Sequence, residues 1–235
     1  MTCFSIFDRF RRGTASAVLL LWMTLLSFSW LRFHSRAIHE TSPAVGRSKL
    51  TSRVALVVLD GLRRDRFESL FPRLRTRATE NGTLCGVRCP ELTFTATGIY
   101  TLGTGDLPTL SLLPSNFQAR RTGVDSLPWV VERAGGRAVA FGESVWLDLF
   151  GAHLRAGVTE RDHGPYAASV DSAREGFSNA LLGRSCELCI WHDPKLDKLG
   201  HRFGIYGARY EEYARMLDSF WMTSSERLVV TLLSS

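Results

Sequence analysis

The stretch Val54 to Asp65, VALVVLDGLRRD, decides the reading of the fold. Its β-branched and aliphatic run ends abruptly in an acid, a glycine and two arginines. A strand buried on both faces of a parallel sheet reads as such a short, unbroken apolar run. Open α/β sheets carry their chemistry just past the carboxyl ends of their strands, so Asp60 occupies a position suited to a metal ligand. The same acid would equally suit the cap of a following helix. What lies downstream weighs between the two.

Strand and helix signals alternate after this point. Val54 to Leu59 is the first strand, and Phe67 to Asn81 reads as a helix stopped by Asn81-Gly82. A loop from Pro90 to Ala96 leads to a second helix over Thr97 to Leu102. Trp129 to Ala134, followed by Gly135-Gly136, reads as a helix with a glycine stop. Arg137 to Phe141, Leu188 to Trp191 and Leu228 to Leu233 are further strands, and Tyr206 to Phe220 is helical. This alternation predicts an α/β fold: a mostly parallel sheet with helices on both faces.

The amino-terminal side differs in character. Residues 14–31, TASAVLLLWMTLLSFSWL, are uncharged and apolar, near the lower length needed to span a bilayer. Arginines flank the segment, and the bulky Trp30 and Leu31 at its end are unlike a signal-peptidase site. The expected organisation is a cytosolic tail at 1–13, one transmembrane signal anchor at 14–31, and a polar linker at 32–52. A lumenal domain at 53–235 follows. Arg9, Arg11 and Arg12 before the span, against Arg32 and Arg36 after it, favour a cytosolic amino terminus. Asn81-Gly82-Thr83 is a glycosylation acceptor, consistent with a lumenal domain. An oxidising lumen permits disulfides among Cys85, Cys89, Cys186 and Cys189, a reading preferred to a zinc site built from the two pairs.

Composition bounds the function. With 45% hydrophobic and 22% charged residues in 235, the chain is of ordinary globular make-up and not disordered. A formal charge of +6 suits anionic partners such as phosphate-bearing substrates or lipid headgroups. No basic stripe interleaved with aromatics is visible in the sequence, so nucleic acid is not an expected partner.

Three segments carry candidate chemistry: DGLRRD at 60–65, PELTFTATG at 90–98 and HDPKLDKLGH at 192–201. Acids and histidines just beyond strands are the hard oxygen and imidazole ligands of zinc or manganese phosphoryl-transfer sites. The hydroxyl-rich loop supplies a nucleophile, which a bound metal would make more acidic. Thr93, Thr95 and Thr97 can also be read as alternate residues of an extended segment, or as a helix cap. His192 reads as a satisfied strand-end histidine with no ligand role.

Together with GESVW at 142–146, these segments resemble the alkaline phosphatase superfamily. Within it they look most like the glycosylphosphatidylinositol (GPI) ethanolamine phosphate transferases and the related type I phosphodiesterases. Those transferases carry a strand ending in DALR, a threonine-bearing loop leading to TGSLP, then GDDTW, then a GxDHxGH segment. Here the counterparts, in the same order, read DGLRRD, TFTATGIYTLGTGDLP, GESVW and KLDKLGH.

The resemblance implies roles residue by residue. Asp60 would bind the metal that activates the nucleophile, and Asp197 with His201 the second metal. Thr95 matches the nucleophile and first-metal ligand, with Thr93 as the fallback. Arg63, Glu143 and Lys198 fall on the substrate side, Glu143 replacing an aspartate and Lys198 a histidine. Asp218 matches an acid of structural role. The implied cofactor is a pair of divalent metals, zinc or alternatively manganese. The implied reaction transfers phosphoethanolamine from phosphatidylethanolamine to a mannose of a GPI precursor at the endoplasmic reticulum membrane, with a small membrane partner subunit. Family members also continue a strand such as Leu228 to Thr231 into Ser-Asp-His-Gly, which this sequence lacks before Ser235. Two ligands per metal remain, against the three or four usual for catalytic zinc. Two alternatives therefore stand beside the transferase: a metal-dependent phosphodiesterase or nucleotide pyrophosphatase, and a truncated relative without turnover.

Overall fold

The computed structural model describes residues 21–24, 51–86, 94–108, 124–160, 168–220 and 228–233. The chain divides into two compact units, one of Met1–Pro43 with Thr109–Ser111, the other of Ala44–Pro108 with Leu112–Ser235. In the first unit, residues 21–24 form a helical turn whose Leu21, Trp22 and Met23 are exposed. Among the described residues no helix is long and apolar enough to cross a membrane. Most of the expected anchor at 14–31 lies outside the described residues.

The second unit holds the sheet. Strand β1 (Val54–Asp60) is followed by helices α1 (Arg64–Leu70), α2 (Pro72–Asn81), α3 (Thr95–Thr104) and α4 (Leu127–Arg133). Then come β2 (Ala138–Glu143), α5 (Val145–Phe150), β3 (Arg155–Glu160) and α6 (Ala168–Leu182). Finally β4 (Leu188–Asp193), α7 (Lys195–Phe203), α8 (Ala208–Phe220) and β5 (Leu228–Leu233) complete the order. The five strands lie in the order β3-β2-β4-β1-β5. Each pairing is parallel.

The alternation of side chains along β1 builds two cores. Ala55, Val57 and Leu59 point to a layer with Phe67, Leu74, Phe177, Trp191 and Leu217, contributed by α1, α2, α6, β4 and α8. Leu56 and Val58 point to the opposite layer, with Ala96, Ile99, Trp146 and Leu149 of α3 and α5. Because both faces are covered, β1 and β4 can be apolar almost throughout. Trp146 and Trp191, one in each layer, are fully buried; truncating either to alanine would cost ~3–5 kcal/mol.

Several boundaries differ from the sequence expectation, each for a physical reason. The single helix expected over Phe67 to Asn81 is two helices, because Pro72 has no N–H to donate and disfavours helical geometry at Phe71, whose φ and ψ are −123° and 52°. The second helix begins at Thr95 rather than Thr97, so Thr95 belongs to a helix start and not to the preceding loop. It stops at Gly105, which adopts the left-handed conformation at φ 78°. The sheet has a further strand, β3, at one edge, whose sequence RAGVTE lacks the apolar run of its neighbours. Cys186 and Cys189 are joined in a disulfide, while Cys85 is free and exposed.

The topology also selects where chemistry can gather. The chain leaving β1 reaches β2 on one side of it, and the chain leaving β4 reaches β5 on the other. β1 and β4 are neighbours, so the chain departs from adjacent carboxyl ends in opposite directions. Such a switch point opens a crevice at the rim of the sheet.

Candidate active site

Asp60 is the last residue of β1 and is 5% exposed. By alternation it shares the face of Val58, the face that α3 covers. Thr95, in the first turn of α3 and half-buried, donates its Oγ1 hydroxyl to Asp60 Oδ2 at 2.9 Å. Asp60 therefore does not cap α1: that helix begins after Arg63 and has no side-chain cap. Of the neighbouring hydroxyls, Thr97 turns its Oγ1 back to the Phe94 carbonyl at 2.7 Å, as a helix-start residue does. Thr93 lies outside the described residues.

Gly61 brings the second pair of residues in. With φ at +71°, it turns the chain out of the strand, and an added Cβ there would lie 2.3 Å from the Cα of Asp197. Glycine is the one residue that permits this approach. Its carbonyl accepts from the Tyr210 hydroxyl at 2.9 Å, tying the turn to α8. Asp197 is in the first turn of α7, and His201 stands one turn on, with Nε2 3.4 Å from Asp197 Oδ1. The His201 side chain is 77% exposed, so its far edge faces solvent. Asp60 and Thr95 are thus in direct contact, Asp197 packs behind Gly61, and His201 joins Asp197.

The remaining residues of the constellation fall on the same rim with varied partners. Glu143 ends β2, next to β4, and its Oε1 accepts from the Ser144 N–H at 3.1 Å. Lys198 is half-buried on α7. Arg63 forms a two-pronged pair with Asp65, Nε to Oδ1 at 3.0 Å and Nη2 to Oδ2 at 2.9 Å. That hydrogen bond holds the Arg63 guanidinium above its ordinary value and the Asp65 carboxyl below its own. Asn81 is exposed at the end of α2, with Gly82 and Thr83 also exposed, so its amide is open to solvent.

Two residues at the end of β4 depart from expectation. His192 is completely buried, yet neither ring nitrogen has a hydrogen-bond partner among the described residues. It is not the satisfied strand-end histidine expected from sequence: its Nε2 lies 3.6 Å from Asp60 Oδ2. Asp193, pointing to the other face, accepts from the Lys195 N–H at 2.8 Å and from the Tyr213 hydroxyl at 2.6 Å. Burial pushes the Asp193 carboxyl up, with those two donors working against it, and burial likewise pushes the Tyr213 hydroxyl up. Sequence reasoning passed over Asp193; its signal was an acid two residues past the apolar run Leu188 to Trp191, at the end of β4. Asp218 proves structural. Its carboxylate accepts from the Arg73 and Leu74 N–H groups at 3.1 and 2.9 Å, closing the start of α2.

The donor chemistry suits a hard or borderline divalent cation: carboxylate, hydroxyl and imidazole, in two close pairs. Among the described residues no group of three or more His, Cys, Asp or Glu side chains is poised to hold a metal ion.

Fold and rim together define an α/β protein with a buried acid and a hydroxyl in contact at the switch point of a parallel sheet. No protein-family model matches the chain. The chain is similar to GPI ethanolamine phosphate transferase 3, catalytic subunit, of Mus musculus, at 27% identity over 199 residues. That alignment covers 75% of this chain and 18% of the mouse protein, so the chain spans less than a fifth of the curated relative it matches.

Proposed function

We propose that this chain carries the nucleophile of a phosphoethanolamine transferase site acting on GPI-anchor precursors. The observation that carries the reading is the Thr95 to Asp60 hydrogen bond at 2.9 Å, at the carboxyl rim of β1. The distant similarity to a GPI ethanolamine phosphate transferase supports the same class. In this reading the Thr95 oxygen attacks phosphorus and forms a phosphothreonine, which then passes phosphoethanolamine to a mannose hydroxyl. Phosphatidylethanolamine is the donor and a GPI glycolipid the acceptor. Asp60 fixes the direction of the hydroxyl.

Asp60 with Thr95, and Asp197 with His201, are the residues that would hold two divalent ions, zinc or manganese. Such ions, when bound, lower the pKa of a coordinated hydroxyl and neutralise phosphoryl oxygens. Arg63, Glu143 and Lys198 are the proposed substrate contacts. In the same reading residues 14–31 anchor the chain in the endoplasmic reticulum membrane, with 1–13 cytosolic, 32–52 a linker and 53–235 lumenal. Asn81 is then glycosylated, and a small membrane subunit is a partner.

The test is chemical trapping. Full-length chain supplied with zinc is incubated with a chromogenic phosphodiester or with labelled phosphatidylethanolamine and glycolipid, and Thr95 is examined by mass spectrometry. A phosphorylated adduct on Thr95 that vanishes in Thr95→Ala, together with label on mannose, is expected. Hydrolysis without transfer would favour the phosphodiesterase reading. A second reading, a relative that binds without turnover, draws on the finding that among the described residues no group of three or more His, Cys, Asp or Glu is poised to hold a metal ion. It predicts neither adduct nor retained zinc.

A further inference from the structure

His192 is a buried imidazole that the reaction above does not employ. It is 0% exposed, and both Nδ1 and Nε2 lack a hydrogen-bond partner among the described residues. Buried polar atoms are almost always paired, so two orphans on one ring call for an explanation. The register supplies the location. His192 pairs with Val58 across the parallel β4 and β1 ladder, and Asp60 is two residues beyond Val58 on the same face. The ring therefore lies on the Thr95 side of the sheet, with Nε2 3.6 Å from Asp60 Oδ2, too far for a hydrogen bond. That same oxygen already accepts from Thr95 Oγ1 at 2.9 Å.

We propose that His192 is a positioning residue which takes over Asp60 Oδ2 once the Thr95 hydroxyl can no longer donate. The inference rests on the reading of Thr95 as nucleophile. During transfer the Thr95 O–H bond breaks and an O–P bond forms. The bond from phosphorus to the leaving oxygen breaks, and the leaving alcohol ends with the proton. The ester oxygen left on Thr95 can accept a hydrogen bond but not donate one. Asp60, 5% exposed, would then lose its donor at Oδ2. A shift of under an ångström brings the Nε2–H of His192 to about 2.9 Å and restores it. Neither ring nitrogen is held by another group among the described residues, so the ring can make that move.

The first test needs neither metal nor turnover. Thr95→Val removes the hydroxyl at constant shape, and the His192 Nε2–H signal in nitrogen-15 NMR is expected to move downfield as it engages Asp60. An unchanged signal overturns the proposal. In denaturation, Thr95→Val and His192→Phe each leave Asp60 Oδ2 one donor among the described residues, whereas the double variant leaves it none there. Its unfolding constant is expected to exceed the product of the single effects by about tenfold. Agreement with the simple product overturns the proposal, and the NMR shift decides if the double variant does not fold.

The second test separates this inference from the reading it rests on. In zinc-supplied chain, His192→Phe is expected to slow formation of the Thr95 adduct at least about tenfold at unchanged KM, with partial rescue by His192→Asn or His192→Gln. If wild-type chain forms no Thr95 adduct, the transferase reading fails. If it forms the adduct and His192→Phe forms it equally fast, the positioning role fails alone.

Discussion

The Cα of Asp197 lies where a Cβ on Gly61 would come within 2.3 Å of it. This contact is how the fold seats α7 against the end of β1, and so how the two candidate ligand pairs come to one rim. Gly61→Ala meets two penalties. An alanine at φ +71° costs ~1–2 kcal/mol, and the backbone of α7 must move to admit the methyl, for a further ~1–3 kcal/mol. Urea denaturation is expected to show a loss of roughly 2–5 kcal/mol, with Asp60 and Asp197 driven apart. A variant as stable as the wild type would mean that the turn is looser than described.

Asp218 offers a cleaner stability measurement, because it lies away from the rim. Its carboxylate closes the start of α2 from α8, across 144 and 145 residues of sequence. Asp218→Ala leaves two helix N–H groups without their acceptor and removes a negative charge from a helix amino terminus. The expected cost is ~1–2 kcal/mol, with Asp218→Asn recovering part of it. Thermal melting of the two variants checks the order.

Asp193 makes stability depend on pH. Burial disfavours its charged form, so the folded chain holds this proton more tightly than the unfolded chain, whose carboxyl has the ordinary value of 3.8. The contribution is fully present below that value and is lost as pH rises through the folded one. Stability of the wild type relative to Asp193→Asn is therefore expected to fall as pH rises above about 4, by at most ~1.4 kcal/mol per pH unit. Tyr213→Phe removes the hydroxyl that favours the charged carboxylate, and should carry the decline to higher pH. Parallel pH profiles for wild type and Asp193→Asn would contradict this assignment.

The sheet was legible in sequence where its strands are buried on both faces. Val54 to Leu59 and Leu188 to Trp191 are unbroken apolar runs, and each lies in a central strand, while Leu228 to Leu233, apolar but for Thr231, lies in the edge strand β5. β3 was not, because its sequence RAGVTE is short of apolar residues and charged at both ends, as an edge strand can be. The split between α1 and α2 was written in Pro72 but outweighed by the helical pattern around it. At the rim, Asp60 could be singled out because it ends a strand, yet its partner could not be separated from a helix cap before α3 was in view. His192 was misread for a deeper reason. Which face a strand residue occupies relative to a residue on another strand depends on register, and the pairing of His192 with Val58 is not written in either segment.

Asp197 and His201 supply the last prediction. One helical turn apart, they bring a carboxylate and an imidazole within 3.4 Å, a separation suited to two donors on one cation. A zinc ion that binds the folded chain and not the unfolded one raises stability by RT ln(1 + [L]/Kd), about 2.7 kcal/mol at a hundredfold excess over Kd. The melting temperature should therefore rise with added zinc and return on chelation. His201→Ala is expected to shrink that rise, and because its side chain is 77% exposed it should cost little stability without zinc. Asp197→Ala should shrink the rise as well. Scanning calorimetry of the three proteins, with and without zinc, checks both arms. Equal zinc-induced shifts in all three would remove Asp197 and His201 from any metal site and leave them a pair of helix-surface charges.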